Sequence, residues 1–401
     1  MQATQRTLDL AERFLPDVVR LRRALHQVPE LDLDLPKSQA LLLDALADLD
    51  LEITLGEGLS SITAVLRGGR GPGPVVLLRG DMDALPVVEA TGLPYASTHE
   101  GRMHACGHDL HAAGLVGAAR ILHGMRDDLR GDVVFMFQPG EEQSGGAVPM
   151  LEQGLLTAAG RPVDACYSVH VHSAGLPFGV FRSRPGIINA HNEEFVVRVI
   201  GAGGHASSPW RVLDPLPAAC EMVLAMQTRI TRSIDIFDPA VLTIGRFLGG
   251  TKDNVIPDVV EFGGTIRCFS DSALAKVREI VDGCAKGIAE AHGLKVAVER
   301  IPGYPACVND VEEFEHARQT VVDLFGEDRF QRSVNPSGSG DDFAYVMRQV
   351  PGAYFGVGAC ASADPETAAA GHSPRAVFDD AILRDTSAFL AELAIRRLAR
   401  G

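Results

Sequence analysis

The sequence lacks the features typical of secreted, membrane-spanning and nucleic-acid-binding proteins. Its seven cysteines are scattered, odd in number and form no CxxC pair, which argues against a secreted disulfide framework and fits a reducing compartment. No stretch approaches the ~20 consecutive apolar residues that span a bilayer. The net charge of -15 disfavours nucleic acid and anionic membranes as partners.

The first 25 residues carry no apolar core of a signal peptide. Their leucines and valines recur at helical spacing among charged residues, which predicts an amphipathic surface helix. We therefore expect a cytoplasmic protein. The length of 401 residues suggests two to three domains of ~150 residues each.

The first half of the chain predicts an α/β domain with a mostly parallel sheet and flanking helices. Helical periodicity at 38–49 and 111–122 alternates with β-branched runs. These runs predict buried strands at 61–66, 75–78, 133–137 and 165–169. In such sheets, ligands bind beyond the carboxyl ends of the strands.

The pattern changes near residue 186. From there to residue 302 the order is strand–helix–strand–strand–helix–strand, which predicts an inserted ferredoxin-like α+β domain. We therefore expect one domain from residues 1–186 and 303–401, interrupted by a smaller domain at 187–302.

Two aspartates, Asp81 and Asp83, follow the predicted strand at 75–78. Residues two apart on an extended chain project to one face, so the pair could hold a metal ion or support its ligands. A turn capped by aspartates is the alternative.

A second segment, HACGHDLH, begins at His104. His104, Cys106 and His108 have the same parity, so an extended chain would point all three the same way. A thiolate and an imidazole two residues apart can bind one metal ion or bridge two. With His111, four candidate ligands fall within eight residues, which favours a metal site over isolated structural histidines.

Glu141 and Glu142 follow the strand predicted at 133–137, after Pro139-Gly140. Adjacent side chains on an extended chain point to opposite sides, which predicts different tasks for the two carboxylates. Metal-dependent hydrolysis needs that division, because one carboxylate ligates the metal while the other moves a proton. A solvated acidic loop is the alternative.

Three further histidines are candidate ligands. His170 and His172 follow the strand predicted at 165–169, and the alternation of side chains along an extended chain does not distinguish them as ligands. His170 is preferred because it directly follows that strand. His372 lies in a loop of small residues after the buried run at 352–358.

The segment GAGGHA at 201–206 matches a dinucleotide-binding loop, with Glu221 about twenty residues on. Such a loop would open a helix at once, but three prolines delay the helix here. The nicotinamide oxidoreductase that it suggests is the less favoured interpretation.

These ordered segments together resemble the M20 family of metallopeptidases and amidohydrolases. The closest similarity is to its aminoacylase-like branch of hippurate hydrolases, auxin-conjugate hydrolases and N-acyl-L-amino acid amidohydrolases. The resemblance runs from the LHQVPE segment at 25–30 to GHSP at 371–374. It implies a di-metal catalytic domain, formed by 1–186 and 303–401, and a lid domain at 187–302 through which a homodimer forms.

The resemblance also assigns roles to residues. Glu141 matches the general base, Asp83 the aspartate that orients a ligand, and His205 a lid histidine that reaches the scissile carbonyl. Asn254 and Arg267 match groups that bind substrate oxygens and the terminal carboxylate. The metal ligands implied are Cys106, His108, Glu142, His170 and His372. The chain departs from the branch at Asp341, where a glutamate is usual, and around His170, where the spacing to the next Leu-Pro is one residue longer.

The expected function is metal-dependent hydrolysis of small-molecule N-acyl amino acids. Two divalent ions per subunit are implied, and zinc, manganese, cobalt and nickel all suit the ligands. A dipeptidase or exopeptidase of the same family is the first alternative, and a non-catalytic metal-binding protein is the second.

Overall fold

In the computed structural model, which describes residues 2–400, most strands belong to one large sheet in each of two units, and the remaining four form two short two-stranded sheets. The larger unit contains residues 2–188, 308–335 and 342–400. The smaller unit contains residues 189–307 and 336–341. The sequence predicted the smaller domain at 187–302 and did not include the short segment at 336–341.

The described residues form sixteen strands and nine α-helices. The strands are β1 (Glu52–Leu55), β2 (Ile62–Arg67), β3 (Val75–Asp81), β4 (Asp132–Gln138), β5 (Ala165–His172), β6 (Phe181–Ser183), β7 (Gly186–Asn189), β8 (His191–Ile200), β9 (Gly204–His205), β10 (Ala240–Gly249), β11 (Val255–Ile256), β12 (Val259–Cys268), β13 (Lys295–Pro302), β14 (Cys307–Asn309), β15 (Phe330–Arg332) and β16 (Gly352–Gly358). The helices are α1 (Gln2–Gln27), α2 (Pro36–Leu46), α3 (His108–His123), α4 (Ala147–Glu152), α5 (Pro215–Ser233), α6 (Asp271–Ala291), α7 (Val311–Phe325), α8 (Ala344–Met347) and α9 (Ile382–Leu398).

The sheet of the larger unit has eight strands in the order β1-β2-β4-β3-β5-β16-β6-β15. Its central strands β4, β3, β5 and β16 are parallel to one another, so their carboxyl ends meet at one edge. Strands β3, β4 and β16 are buried along their whole length, as expected for parallel strands covered on both faces by helices. The mostly parallel α/β architecture predicted from the sequence is therefore confirmed.

Two glycines let α3 lie close to this sheet. A Cβ on Gly80 would stand 2.8 Å from the backbone oxygen of His111, so β3 and α3 could not approach as they do. Gly107 precedes α3 with a φ of +89°, and a Cβ there would stand 2.5 Å from Val171 Cγ2 on β5. Glycine is thus required where the chain turns into α3 and where α3 meets β3.

The sheet of the smaller unit has four antiparallel strands in the order β10-β12-β8-β13. Together with α5 and α6, the chain order is β8-α5-β10-β12-α6-β13, which confirms the ferredoxin-like arrangement. The apolar faces of α5 and α6 pack with this sheet in a core separate from that of the larger unit.

The GAGGHA segment does not open a helix. The chain continues from Gly201 into β9, and α5 begins only at Pro215. Glu221 lies within α5 and contacts His292 at 2.8 Å. The dinucleotide-binding interpretation therefore finds no support in the fold. Among residues 2–400, no helix combines the length and apolar character needed to cross a membrane.

Candidate metal centre

The candidate ligands of the larger unit lie at the edge of the sheet where the parallel strands end. Two of these segments follow β4 and β16, one is the end of β5, and one leads from an irregular segment into α3. The residues brought together are Cys106, His108, Glu141, Glu142, His170 and His372.

Two groups of three ligand atoms share the sulfur of Cys106. In the first, Cys106, His108 and His170 each offer an atom within 4.8 Å of the others, with Cys106 Sγ 3.4 Å from His170 Nε2. In the second, Cys106 joins Glu142 and His372, with Glu142 Oε1 3.3 Å from His372 Nε2. The shared sulfur suits two neighbouring cations bridged by one thiolate.

Glu141 and Glu142 both face the His108 ring. Glu141 Oε2 lies 4.0 Å and Glu142 Oε1 3.8 Å from His108 Nε2. The prediction that the two carboxylates point to opposite sides is wrong, because the chain leaves β4 at Gln138 and both glutamates lie in a turn rather than in extended chain.

Asp83 connects His108 with the glutamate turn. The backbone N–H groups of Glu141 and Glu142 donate to Asp83 Oδ1 and Oδ2, each at 3.0 Å. Asp83 Oδ1 also lies 3.4 Å from His108 Nδ1. This contact leaves His108 Nε2 directed at the carboxylates, so Asp83 is placed to orient three candidate site residues at once.

The buried polar atoms of this cluster fit a divalent cation. His108 is 1% exposed, yet neither of its ring nitrogens makes a hydrogen bond of normal geometry to another described residue, and the same holds for Glu142 Oε1. Buried polar atoms without partners are costly, and coordination of a cation would satisfy them. Thiolate, imidazole and carboxylate together suit zinc and other first-row metals.

Burial and neighbouring charges set the protonation of this cluster, and a bound cation would change it. Burial raises the pKa of the Cys106 thiol to about 12, although His108 partly opposes this. Burial also opposes a charged His108 ring, but Asp81 outweighs it and holds the His108 pKa well above its usual range. Burial alone would raise the pKa of Glu142, but the interaction with His372 at 3.3 Å and the charge of His108 outweigh burial and lower that pKa. A cation would favour the thiolate and the neutral imidazoles, since metal binding displaces protons from its ligands.

His104 does not join this cluster, so the prediction that it points the same way as Cys106 and His108 is wrong. The segment is not extended, because the chain bends at Cys106 and then turns at Gly107 into α3, whose first residue is His108. His104 lies instead beside His26, with ring centroids 6.2 Å apart.

Of the two histidines on β5, His170 faces Cys106. Strand β5 continues to His172 because it pairs with β16 up to Gly358, so the premise that His170 follows the end of the strand is wrong. His172 is exposed and is absent from the groups of potential ligands formed by the described residues. The geometry thus favours His170 for a reason that the sequence did not supply.

His372 has a left-handed backbone, with a φ of +66°. Only a few per cent of non-glycine residues adopt such a conformation. Its N–H donates to the Ala105 carbonyl at 2.9 Å, next to Cys106, and the following Pro374 accepts from the N–H of Ala90. These bonds hold the loop that brings His372 to Glu142.

Three predicted site residues lie in the smaller unit. His205 is exposed on β9 opposite Val255 of β11, and its Nδ1 accepts from the N–H of Ser207 at 3.1 Å. The Asn254 carbonyl accepts from the N–H that follows His205, so these two segments are adjacent. Arg267 is half-buried on β12.

The sequence did not reveal a buried polar network beside the cluster. Arg79, Asp81, Gln138 and Asp342 are each at most 1% exposed, and hydrogen bonds and ion pairs connect them. Asp81 also pairs with His111 on α3. The i, i+3 spacing of His108 and His111 was the only signal in the sequence that these two side chains share a helix face.

The chain is similar to known hydrolases along nearly its whole length. Residues 77–396 match the model of peptidase family M20/M25/M40. The N-acetyl-L-cysteine deacetylase of Bacillus subtilis is 34% identical over 95% of this chain and 88% of its own length. The IAA-amino acid hydrolase ILR1-like 2 of Arabidopsis thaliana is 33% identical over 95% of this chain and 85% of its own length.

A solved structure shares both the fold and the family. The Bacillus subtilis YXEP protein, a dinuclear metal binding peptidase from the M20 family, superposes with a TM-score of 0.82. It is 31% identical and covers 97% of this chain and 99% of that one.

The fold and the ligand cluster define a metal-binding α/β hydrolase with an inserted α+β unit. The chain belongs to peptidase family M20/M25/M40, and it is an enzyme that hydrolyses amide bonds.

Proposed function

We propose that the chain hydrolyses the amide bond of N-acyl amino acids and releases a carboxylic acid and an amino acid. The observation that carries this proposal is the position of Glu141, whose carboxylate lies 4.0 Å from His108 Nε2 beside two ligand groups that share Cys106. A cluster that only stored cations would have no need of this additional buried carboxylate. The deacetylase and the IAA-amino acid hydrolase described above act on compounds of the proposed class.

Two divalent cations per chain suit the ligand geometry. One would bind Cys106, His108 and His170, and the other Cys106, Glu142 and His372. The dinuclear centre of the YXEP protein supports this number. Zinc, manganese, cobalt and nickel are all compatible with a set of thiolate, imidazole and carboxylate ligands.

Divalent cations in such sites lower the pKa of bound water toward ~7 and polarise a carbonyl oxygen. Glu141 takes a proton from the water while the water oxygen attacks the acyl carbonyl carbon. The C–N bond then breaks, and Glu141 returns the proton to the leaving amine nitrogen. Asp83 keeps Glu141 in place through the bond from the Glu141 N–H.

The residues of the smaller unit complete the proposal on the strength of the family resemblance. His205 would donate a hydrogen bond to the developing oxyanion, a contact typically worth roughly 10²–10³ in rate. Asn254 would bind a substrate oxygen. Arg267 would bind the terminal carboxylate, which a planar guanidinium can meet with two hydrogen bonds.

A dipeptidase or exopeptidase activity is the second candidate, because the YXEP protein is described as a peptidase. The two candidates differ in the substrate group beside the scissile amide. An acylase accepts a neutral acyl chain, whereas a dipeptidase must bind a free ammonium group.

A substrate panel separates these candidates. Chelator-treated protein is given N-acetyl, N-benzoyl and N-indoleacetyl amino acids, with dipeptides beside them, and amine release is measured with and without Mn²⁺, Zn²⁺ or Co²⁺. We expect cation-dependent release from at least one acyl amino acid. Release from dipeptides alone would establish the peptidase candidate, and no release from folded protein with any cation would favour a non-catalytic metal-binding protein.

We also propose a cytoplasmic homodimer that pairs through the smaller unit. Strand β10 is at the edge of its sheet and exposes Val241, Phe247 and Leu248 by 59%, 41% and 53%. An exposed apolar edge is a template for pairing with another chain. Light scattering should give twice the mass of one chain, and the mass of a single chain would refute the dimer.

The proposed location in the cytoplasm rests on the seven free cysteines, which are consistent with a reducing compartment.

A further inference from the structure

His111 and Asp81 lie against the ligand cluster, but their polar atoms already contact other residues of the chain. Atoms of Asp81, His108 and His111 fall within 4.8 Å of one another, so distance alone would allow them to hold a cation. However, Asp81 Oδ1 lies 2.5 Å from His111 Nδ1, and Asp81 Oδ2 lies 2.5 Å from Arg79 Nη1. Asp81 Oδ1 therefore already has a hydrogen-bonding partner, and Asp81 Oδ2 already has an ion-pair partner.

The second nitrogen of His111 is also occupied. The backbone N–H of Val171 donates to His111 Nε2 at 2.8 Å. A backbone N–H can only donate, so Nε2 must be the acceptor and the ring proton must be on Nδ1, facing Asp81. His111 then has no lone pair left for a metal ion.

The bond to Val171 lies next to a candidate ligand. Val171 follows His170 on β5, and His111 is on α3, the helix that begins with His108. The bond from Val171 to His111 therefore fixes the end of β5 against α3. It sets the position of His170 relative to Cys106, whose sulfur lies 3.4 Å from His170 Nε2.

The guanidinium of Arg79 links this pair to the glutamate turn. Its Nε donates to Gln138 Oε1 at 2.9 Å, and its Nη2 lies 3.2 Å from Asp342 Oδ1. Asp342 Oδ2 accepts from the N–H of Ala147, which is five residues after Glu142. One buried guanidinium thus connects the ends of β4 and β5, which both carry candidate ligands.

We propose that Asp81 and His111 are positioning residues that hold His170 in place for the cation, rather than ligands themselves. The chain Arg79–Asp81–His111–Val171 presets the distance between His170 and Cys106 before a cation binds. Partners of metal ligands that act in this way typically contribute about 10–100-fold to metal affinity. The proposal rests on the ligand set proposed above but not on the substrate.

Cobalt binding tests this proposal independently of activity. Wild type, Asp81→Asn and His111→Ala are stripped with a chelator and titrated with Co²⁺, and the absorption of the cobalt–thiolate bond is recorded together with bound cobalt per chain. Tyr167→Phe is the matched control. Tyr167 lies on β5, the strand that also carries His170, and the substitution removes its buried hydrogen bond to Glu313 of α7. The Co²⁺ affinity of this control shows how far a loss of stability in β5 alone weakens cation binding.

We expect Asp81→Asn and His111→Ala to bind Co²⁺ about 10–100-fold more weakly, while both still bind two ions per chain at saturation. Tyr167→Phe should bind Co²⁺ as wild type does. Affinities equal to those of the control would overturn the proposal, and so would a fall to one ion at saturation, which would make the two residues ligands. If His111→Ala does not fold, the Co²⁺ affinity of Asp81→Asn alone tests the proposal, because asparagine has nearly the size of aspartate and is expected to leave the packing intact. A wild type without a cobalt–thiolate band would instead contradict the ligand set itself.

Discussion

Glu141→Gln is expected to lower kcat by at least about 10²–10⁴-fold, the range contributed by a positioned general base. Glutamine has nearly the size of glutamate but cannot take a proton from water. Glu141 is outside both ligand groups that contain Cys106, so the variant should retain the cation content of wild type. Steady-state kinetics and metal analysis of the same preparation measure the two effects.

Glu152→Gln is the matched control for this variant. Glu152 is exposed at the end of α4, in the same unit, and the same chemical change there should leave kcat unaltered. Wild-type turnover in Glu141→Gln would show that another group moves the proton. A loss of turnover accompanied by a loss of cations would show that Glu141 is a ligand.

Cys106→Ala should have the largest effect on metal binding. The sulfur of Cys106 belongs to both ligand groups, so its removal weakens both sites, whereas removal of His170 or His372 affects one group. Bound cations stabilise a fold by mass action, by about 4 kcal/mol at a concentration 1,000 times the dissociation constant. We expect wild type to gain stabilisation of this order from the cation and the variant to gain much less, as measured by denaturant unfolding with and without cation.

The buried, free Cys360 provides the comparison for Cys106. It lies in the same unit, with its sulfur 3.6 Å from the Ser362 carbonyl, and Cys360→Ala should keep both the cations and their stabilising effect. If Cys106→Ala bound two cations with the affinity of wild type, a thiolate shared by two cations would be excluded.

The sequence predicted the architecture because each element carries its own local pattern. The apolar runs of β3 and β4, the helical periodicity of α3 and the strand–helix order of the smaller unit all depend on neighbouring residues. Parallel strands then bring their carboxyl ends together, which explains why motifs distant in sequence meet at one edge.

The predictions of side-chain direction from alternation along an extended chain failed where the backbone leaves the extended conformation. Gly107 turns the chain between Cys106 and His108, and the glutamates lie in a turn, so alternation of side chains no longer applies. Apart from the glycines themselves, no residue pattern indicated these turns.

The buried network of Arg79 could not be predicted because its members come from separate segments. Asp342 is more than 200 residues from Gln138, yet Gln138 Nε2 donates to both of its carboxylate oxygens at 2.7 Å. Such contacts depend on how helices pack on the sheet, and no local pattern encodes them.

The most direct test of the central claim is a cation titration of the wild-type chain during catalysis. Chelator-treated protein receives Co²⁺ or Mn²⁺ in steps, and the release of amino acid from an N-acyl amino acid is followed together with bound cation per chain. The proposed centre predicts that release rises with cation content and levels off at two cations per chain. Undiminished release by the metal-free protein would contradict a metal-dependent mechanism.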